Sequence, residues 1–322
     1  MAESLSLYLD RQLPEPMTAA LSTALSGAAV LTGPNEEAMA DAQAIIASAS
    51  RWDGERMDRC PRLRVISRSG IGYDSVDVPA ATARGIAVCI APDAPTVSTA
   101  EHAVAMIMAA AKAVSENQAR LRAGDADYFA LSRSVELAGC TLGLVGYGRI
   151  ARRVGRVGTA LDMNVIAHDP YLDADQIESG AELVGFADLL RRADVISVHA
   201  PLTDTTREMF DAAAFAAMRP GVIFVNTARG GLVDQDALLA ALDSGQVGAA
   251  ALDVTEPEPL PTDHPLLLRD DVTVTPHIAS ATGAGRLRLY EHAIANALAV
   301  LAGRDPAEIS LVVNPEVLWG SA

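Results

Sequence analysis

Positive charge is what this sequence is shortest of. Its 322 residues hold 25 lysines and arginines against 41 aspartates and glutamates, a net charge of −16. Nucleic acid and anionic membrane both bind through clustered positive surface, so neither is expected as a partner. Any anionic small molecule must be captured by local positive groups, not by the overall field. Cysteine is scarce too. Cys60, Cys89 and Cys140 are an odd, widely spaced set that makes neither a disulfide framework nor a zinc site. They read as reduced thiols of a cytoplasmic protein, with Cys89 and Cys140 in or beside apolar runs. No His/Cys/carboxylate set has metal spacing, so no metal is expected. Long hydrophobic runs are missing: the most apolar helix, around 103–114, is short and contains Lys112, so no membrane span is expected. Glu3 and Asp10 stand where a secretory leader would be basic and then apolar, so none is expected. There is no short repeat and no low-complexity tract. Half of the residues are hydrophobic, enough for a large core in one or two domains.

What is present is organised around Gly143-Leu144-Val145-Gly146-Tyr147-Gly148-Arg149-Ile150-Ala151. Residues 141–145 read as a buried strand, and 149–161 have the apolar spacing of a helix. Gly146 permits a tight turn between them, and Gly148 lets backbone approach a pyrophosphate. The helix N-terminus offers free N–H groups and its positive dipole end. Ala151 takes the packing position, where Gly or Ala fits. Asp169 follows the next apolar run, about 20 positions after Gly148. An acid there accepts hydrogen bonds from a ribose 2′-hydroxyl. The pattern reads as dinucleotide binding, although a βαβ unit with a tight turn would share its parts.

Before this turn, apolar runs at 5–9, 44–47, 63–66 and 86–90 read as strands, and 17–25 and 78–83 as helices, an α/β pattern with a parallel sheet. Ser98-Thr99-Ala100-Glu101 has the form of a capping box opening a long helix to about Ala123, stopped by Gly124. Residues 125–137, with Tyr128 and Phe129, read as an exposed segment suited to wrapping a partner chain. After the turn, strands are expected at 141–145, 164–168, 195–199, 222–226, 249–253 and 272–275, six strands of a doubly wound sheet. A further long helix is expected at 285–302. The tail, with Val312-Val313 and Trp319, is too short for its own domain and is expected to return to the first one. The domains are therefore 1–97 with 291–322, and 98–290.

Ligands bind at the C-terminal ends of the strands in such folds. Three candidates stand there: Arg229 in Asn226-Thr227-Ala228-Arg229-Gly230-Gly231, Glu258 in Asp253-Val254-Thr255-Glu256-Pro257-Glu258-Pro259, and His277 in Thr275-Pro276-His277-Ile278-Ala279-Ser280. Arg is always charged and suits a carboxylate or a polarised ketone. His exchanges a proton with a hydroxyl near neutral pH. A Glu beside it favours the imidazolium and sets its tautomer. Singly, each has a blander reading: a surface charge, a solvated loop acid (Glu256 or Glu258), a capping or core histidine. His102, His168 and His292 lack a partner motif and read as structural. Asp162, Asp173 and Asp175 read as solvated.

From about residue 62 to 294 the chain resembles the D-isomer-specific, NAD-dependent 2-hydroxyacid dehydrogenase family. The matching pieces are Ser69-Gly70-Ile71-Gly72-Tyr73-Asp74-Ser75-Val76-Asp77, Thr99-Ala100-Glu101-His102, the glycine turn, Asp169, His199-Ala200-Pro201-Leu202-Thr203, and the three segments just quoted. The resemblance implies two Rossmann-like domains: a doubly wound NAD domain and a flavodoxin-like substrate domain. It implies Arg229, Glu258 and His277 as the catalytic trio, with Glu258 chosen over Glu256 by its place between two prolines. It implies that Ile71 and Gly72, with Arg229, hold the substrate. For the cofactor it implies Thr96, Gly146, Gly148, Arg149, Ile150, Asp169, His199, Pro201, Thr227, Ala228, Asp253, His277 and Ser280, with Asp253 on the nicotinamide amide. It also implies a homodimer joined through the nucleotide domains.

The implied reaction exchanges a hydride between NAD(H) and a small D-2-hydroxy acid or 2-keto acid bound between the domains, with His277 as acid/base. Asp169 repels a 2′-phosphate, and His168-Asp169-Pro170-Tyr171 offers no Arg to bind one, so NAD is expected over NADP. The alternative is an NAD-sensing binding protein of the same fold with little catalysis. A formate or phosphite reading is disfavoured: family formate enzymes carry Asn where Pro95 stands and pair the histidine with Gln. Tyr8, Leu9, Trp52 and Asp53 are expected, from position, near the substrate side chain. The extra regulatory module of the longer phosphoglycerate enzymes is not expected, because the sequence stops soon after the returning tail.

Overall fold

A computed structural model describes every residue of the chain except 1–3, 26, 28, 49, 126, 128–131, 179, 305–308, 310 and 319–322. Tyr128, Phe129 and Trp319, singled out above, lie outside the described residues. The chain divides into two compact units, Met1–Pro95 with Thr282–Ala322, and Thr96–Ala281.

The first unit holds β1 (Leu5–Leu9), β2 (Ala29–Thr32), β3 (Ala44–Ala47), β4 (Val65–Arg68) and β5 (Ala87–Cys89). They form a parallel sheet of order β2-β1-β3-β4-β5, the flavodoxin-like arrangement. Every residue of β3 is buried, because a parallel sheet is covered on both faces. Ile46 packs with Leu7, Val65 and Cys89 on one face; Ile45 packs with Ile66, Val88 and Trp52 on the other. Helices α1 (Glu15–Ala24), α2 (Glu36–Ala40), α3 (Gly54–Asp58) and α4 (Val78–Ala83) link the strands. The last helix, Gly283–Leu301, lays Tyr290, Ala293 and Ala297 on the Ile46 face. After that helix the tail meets the sheet: Val313 N–H donates to the Val88 carbonyl (2.7 Å), and Asn314 Oδ1 accepts from Val88 N–H (2.7 Å).

The second unit holds α5 (Thr96–Ala111), α6 (Val114–Arg122), β6 (Thr141–Val145), α7 (Arg149–Ala160), β7 (Asn164–His168), β8 (Ala181–Leu183), α8 (Phe186–Arg192), β9 (Val195–Val198), α9 (Ala212–Ala217), β10 (Val222–Asn226), α10 (Gln235–Asp243), β11 (Val247–Leu252) and β12 (Val272–Val274). With the first-unit helix Gly283–Leu301 as α11, the order is complete. The sheet is parallel, β12-β11-β10-β9-β6-β7-β8. The chain starts in its middle at β6 and winds out both ways, so the strand order reverses between β6 and β9, where a doubly wound sheet opens a ligand crevice. Helices α5 and α7 cover one face through Ala103, Met106, Ile107, Ala151 and Val154. Phe210, Phe215, Phe224 and Leu238 fill the other.

Four expectations are corrected. The second sheet has seven strands, not six, and the first includes β2. Both β2 and β8 are edge strands with mixed burial, which weakens any periodic signal. Ser98 and Thr99 are buried inside α5, which starts at Thr96, so they make no capping box there. The long helix is broken at Ala113, which takes the left-handed conformation (φ 48°). No glycine or proline marks that break; α6 is redirected so that Ser115 Oγ meets Thr273 Oγ1 at 2.9 Å. Finally, Tyr8, Leu9 and Trp52 are core residues, and Asp53 caps α3 by accepting from Arg56 N–H (3.1 Å).

Candidate active site

The site is assembled at the C-terminal ends of the second unit's strands. After β6, Gly146 turns the chain at φ +84°. A Cβ there would stand 2.8 Å from Ala200 N, so both the dihedral and the close approach demand glycine. Gly148 caps α7 with no side-chain hydrogen bond, and a Cβ on it would meet nothing within 4 Å. An open cradle beside an uncapped helix start is what a pyrophosphate needs. Ala151 is fully buried against the sheet. Asp169 ties the cradle together: its carboxylate accepts from Tyr147 N–H (3.0 Å) and Tyr171 N–H (3.1 Å). Arg149 is exposed and Ile150 half-buried at the start of α7.

After β9, His199 N–H bonds the Val145 carbonyl at 2.7 Å, joining the strand ends on either side of the switch point. Its Nε2 lies 2.9 Å from Ser197 Oγ. Burial pushes its imidazole down to about 4, so it is neutral at pH 7. Pro201 is exposed, and its carbonyl accepts from Thr206 Oγ1 (2.7 Å).

After β10, buried Asn226 shapes the next loop. Its Nδ2 donates to the Arg229 carbonyl (2.8 Å) and its Oδ1 accepts from Ala228 N–H (3.0 Å). Thr227 is buried, yet its Oγ1 has no partner among the described residues. An orphaned buried hydroxyl calls for an explanation, and a bound cofactor supplies one. Arg229 is half-buried, with Nη1 on the Ala228 carbonyl (2.7 Å). Gly230 lets this loop lie on the next one: a Cβ would be 2.2 Å from the Thr255 carbonyl.

The ends of β11 and β12 carry the acids and the histidine. Asp253 has a fully buried side chain, and its carboxylate serves the His277 loop. Oδ1 accepts from Thr275 Oγ1 (2.6 Å) and Ile278 N–H (2.9 Å), Oδ2 from Ala279 N–H (2.9 Å). His102 Nε2, from α5, stands 3.3 Å from Oδ1. Burial would raise the Asp253 carboxyl, but the bonds from His102, Thr275 and the two amides outweigh it and hold it below the ordinary carboxylate value. His277 sits in the left-handed region (φ 53°), with its N–H on the Asp253 carbonyl (2.8 Å). That conformation is disfavoured by about 1–2 kcal/mol for a non-glycine residue, and the bonds on both sides maintain it. Its Nδ1 lies 2.5 Å from Glu258 Oε1, and both side chains are partly exposed. With Nδ1 engaged, Nε2 is the nitrogen that can exchange a proton with a ligand. Glu256 turns instead to Arg207 (3.3 Å).

The structure thus brings Glu258 and His277 together and sets Arg229 on the adjacent strand end. Thr96 is buried at the start of α5, and Ala228 and Ser280 are half-buried in the β10 and β12 loops. Ile71 and Gly72 belong to the first unit, at the end of β4. There Arg68 Nε donates to the Gly72 carbonyl (2.8 Å), and the Ile71 and Gly72 N–H groups have no partner among the described residues. Sequence reasoning set His102 aside as structural, although it stood within a matched motif. Only the contact across from α5 to the β11 loop reveals it. Among the described residues no group of His, Cys, Asp and Glu could hold a metal ion, and no helix is long and apolar enough to cross a membrane.

An open parallel sheet with a phosphate cradle at its switch point, and an imidazole–carboxylate pair on neighbouring strand ends, defines a dinucleotide-binding protein equipped for proton exchange. The chain belongs to the D-isomer specific 2-hydroxyacid dehydrogenase family: the model of that family's NAD binding domain matches residues 104–279. NAD is the cofactor of this unit. The chain is 42% identical over 246 residues to a D-3-phosphoglycerate dehydrogenase of Archaeoglobus fulgidus, covering 76% of this chain and 46% of that one. It is 41% identical to a glyoxylate reductase of Aeropyrum pernix, covering 83% and 81%. A crystal structure of D-lactate dehydrogenase from Aquifex aeolicus, complexed with NAD and lactic acid, superposes with a TM-score of 0.81 at 30% identity, covering 92% and 95%. The chain spans about half the length of the first phosphoglycerate dehydrogenases it matches.

Proposed function

We propose that this protein is an NAD-dependent D-2-hydroxyacid dehydrogenase that interconverts a small 2-keto acid and its D-2-hydroxy acid. The observation that carries the reading is the His277–Glu258 pair at 2.5 Å, on a strand end of an NAD-binding sheet. Bound NADH supplies the hydride. The chain's residues do the rest. The Arg229 guanidinium holds the substrate carboxylate and polarises the ketone. In the first unit, the Ile71 and Gly72 amides are donors suited to an anion. His277, protonated and steadied at Nδ1 by Glu258, gives its Nε2 proton to the oxygen as charge develops there. In the oxidative direction it takes that proton back. Gly146, Gly148, Arg149, Ile150 and Thr227 hold the cofactor, and Asp169 selects NAD by accepting the ribose hydroxyl and repelling a 2′-phosphate.

We further propose that it works as a cytoplasmic homodimer. The three free thiols suit a reducing compartment. Exposed Val114, Leu121 and Val135, on and beside α6, offer apolar surface for a second copy. Loss of NADH absorbance with a panel of 2-keto acids tests the activity; binding of NADH without turnover of any of them would leave a nucleotide-sensing protein instead. Sedimentation velocity tests the dimer, and Leu121→Glu is expected to shift it toward monomer.

A further inference from the structure

We propose that His102 is a positioning residue of the acid–base centre: together with Thr275 it holds the buried Asp253 carboxylate, which in turn holds the left-handed turn that presents His277. The inference rests on the dehydrogenase reading above and adds a residue to it.

His102 Nε2 lies 3.2 Å from Thr275 Oγ1 and 3.3 Å from Asp253 Oδ1. Thr275 Oγ1 is itself only 2.6 Å from Asp253 Oδ1. A carboxylate accepts and does not donate, so the threonine hydrogen points at Asp253. What the hydroxyl then offers His102 is a lone pair, so His102 Nε2 must carry a hydrogen. The imidazole therefore donates toward both oxygens. The remaining donors to Asp253 are the amides of Ile278 and Ala279, the two residues that follow His277. Residues 275, 278 and 279 are thus bound to one carboxylate, and the main chain of His277 is bound to the carbonyl of the same aspartate. The left-handed backbone of His277 is the strained link in that turn.

Asp253 can keep its charge in a fully buried place only while four donors surround it. Removing the α5 donor leaves that charge undercompensated. The turn is where relaxation is easiest, because two of the remaining donors are its own amides. A second histidine–acid contact, His102–Asp253, thus anchors the turn that carries the His277–Glu258 pair.

The test uses the full chain as wild type, His102→Leu and His102→Gln. Leucine removes the donor at similar volume; glutamine retains an N–H donor. With an active 2-keto acid, His102→Leu is expected to lower kcat about tenfold or more, with the KM for NADH nearly unchanged. His102→Gln is expected to restore most of the loss. Imidazole 1H–15N spectra of the protein without substrate supply a readout independent of turnover. His277 should give one sharp set of signals in the wild type and the Gln variant, and broadened or doubled signals in the Leu variant. If His102→Leu does not fold, Thr275→Val removes the hydroxyl relay and should broaden the same signals. Unchanged kcat and unchanged His277 signals would overturn the proposal. So would a raised KM for NADH at constant kcat, since His102 would then act through Asp253 on the cofactor alone and not on His277. If the wild type turns over no 2-keto acid, the dehydrogenase reading falls, while the spectra still decide whether His102 positions His277.

Discussion

Asp253 and Glu258 stand five positions apart on one loop, and burial suits them to opposite tasks. Asp253 is enclosed and held by four donors, three on Oδ1 and one on Oδ2, so it is a fixed anchor. Glu258 is partly exposed, and its partner among the described residues is the imidazole. His277→Ala is expected to cut kcat between about a hundredfold and ten-thousandfold, while NADH affinity, followed by fluorescence titration, stays near the wild-type value. Retained turnover would remove His277 from the acid/base role. At the other end of the sheet, Asp169→Ser should erode discrimination against NADPH, seen as a rise in kcat/KM for NADPH relative to NADH. Arg229, Glu258, His277 and Asp169 could be proposed from sequence because each lies in a segment that matches the family pattern, Glu258 between two prolines and Asp169 after an apolar run. His102 was not, because its partner lies about 150 positions away in the chain and no local pattern marks a contact made across a fold.

Among elements, the turns carry more information than the strands. The β10 loop rests directly on the β11 loop at Gly230. Gly230→Ala would force a methyl to 2.2 Å from the Thr255 carbonyl and push the Arg229 and Glu258 loops apart. The expected result is a fall in kcat/KM of about a hundredfold with the far-UV circular dichroism spectrum unchanged. An unaltered kcat/KM would mean that the two loops move independently. Buried strands were easy to read, since β6, β7, β9 and β10 are near-continuous apolar runs, as expected where helices cover both faces. The short edge strands β2 and β8 and the helix break at Ala113 were not, because packing overrides propensity at each. Ala113 has no residue type that asks for φ 48°. The redirection of α6 toward Thr273 on β12 goes with that conformation.

At the scale of the molecule, acid stability follows from groups held away from their ordinary protonation. His199 titrates near 4 when folded and near 6.5 when unfolded. In that window the unfolded chain binds a proton that the folded chain refuses. Stability is therefore expected to fall as pH drops from about 6.5 to about 4, by up to about 3 kcal/mol from this residue. Asp253, whose carboxyl is lowered, contributes stability above its unfolded value near 3.9, lost as pH falls through its lower folded one. Urea midpoints between pH 7.5 and about 3 check both windows, and His199→Gln should flatten the slope across the His199 window. The discontinuous first unit has its own test. Asn314 is buried, and it bonds Val88 N–H, the Ile86 carbonyl and Thr82 Oγ1. Asn314→Ala should destabilise that unit by about 3 kcal/mol, because it strands buried polar groups.

The order of runs and turns along the chain determined the two α/β units, the dinucleotide cradle and the types of residue offered to chemistry, since strand period, glycine at a forced turn and acid spacing are local properties. Which carboxylate meets the imidazole, which one is entombed behind it, and which helix reaches across to hold it were decided only in three dimensions. Burial and hydrogen-bond satisfaction depend on neighbours that the linear order keeps far apart.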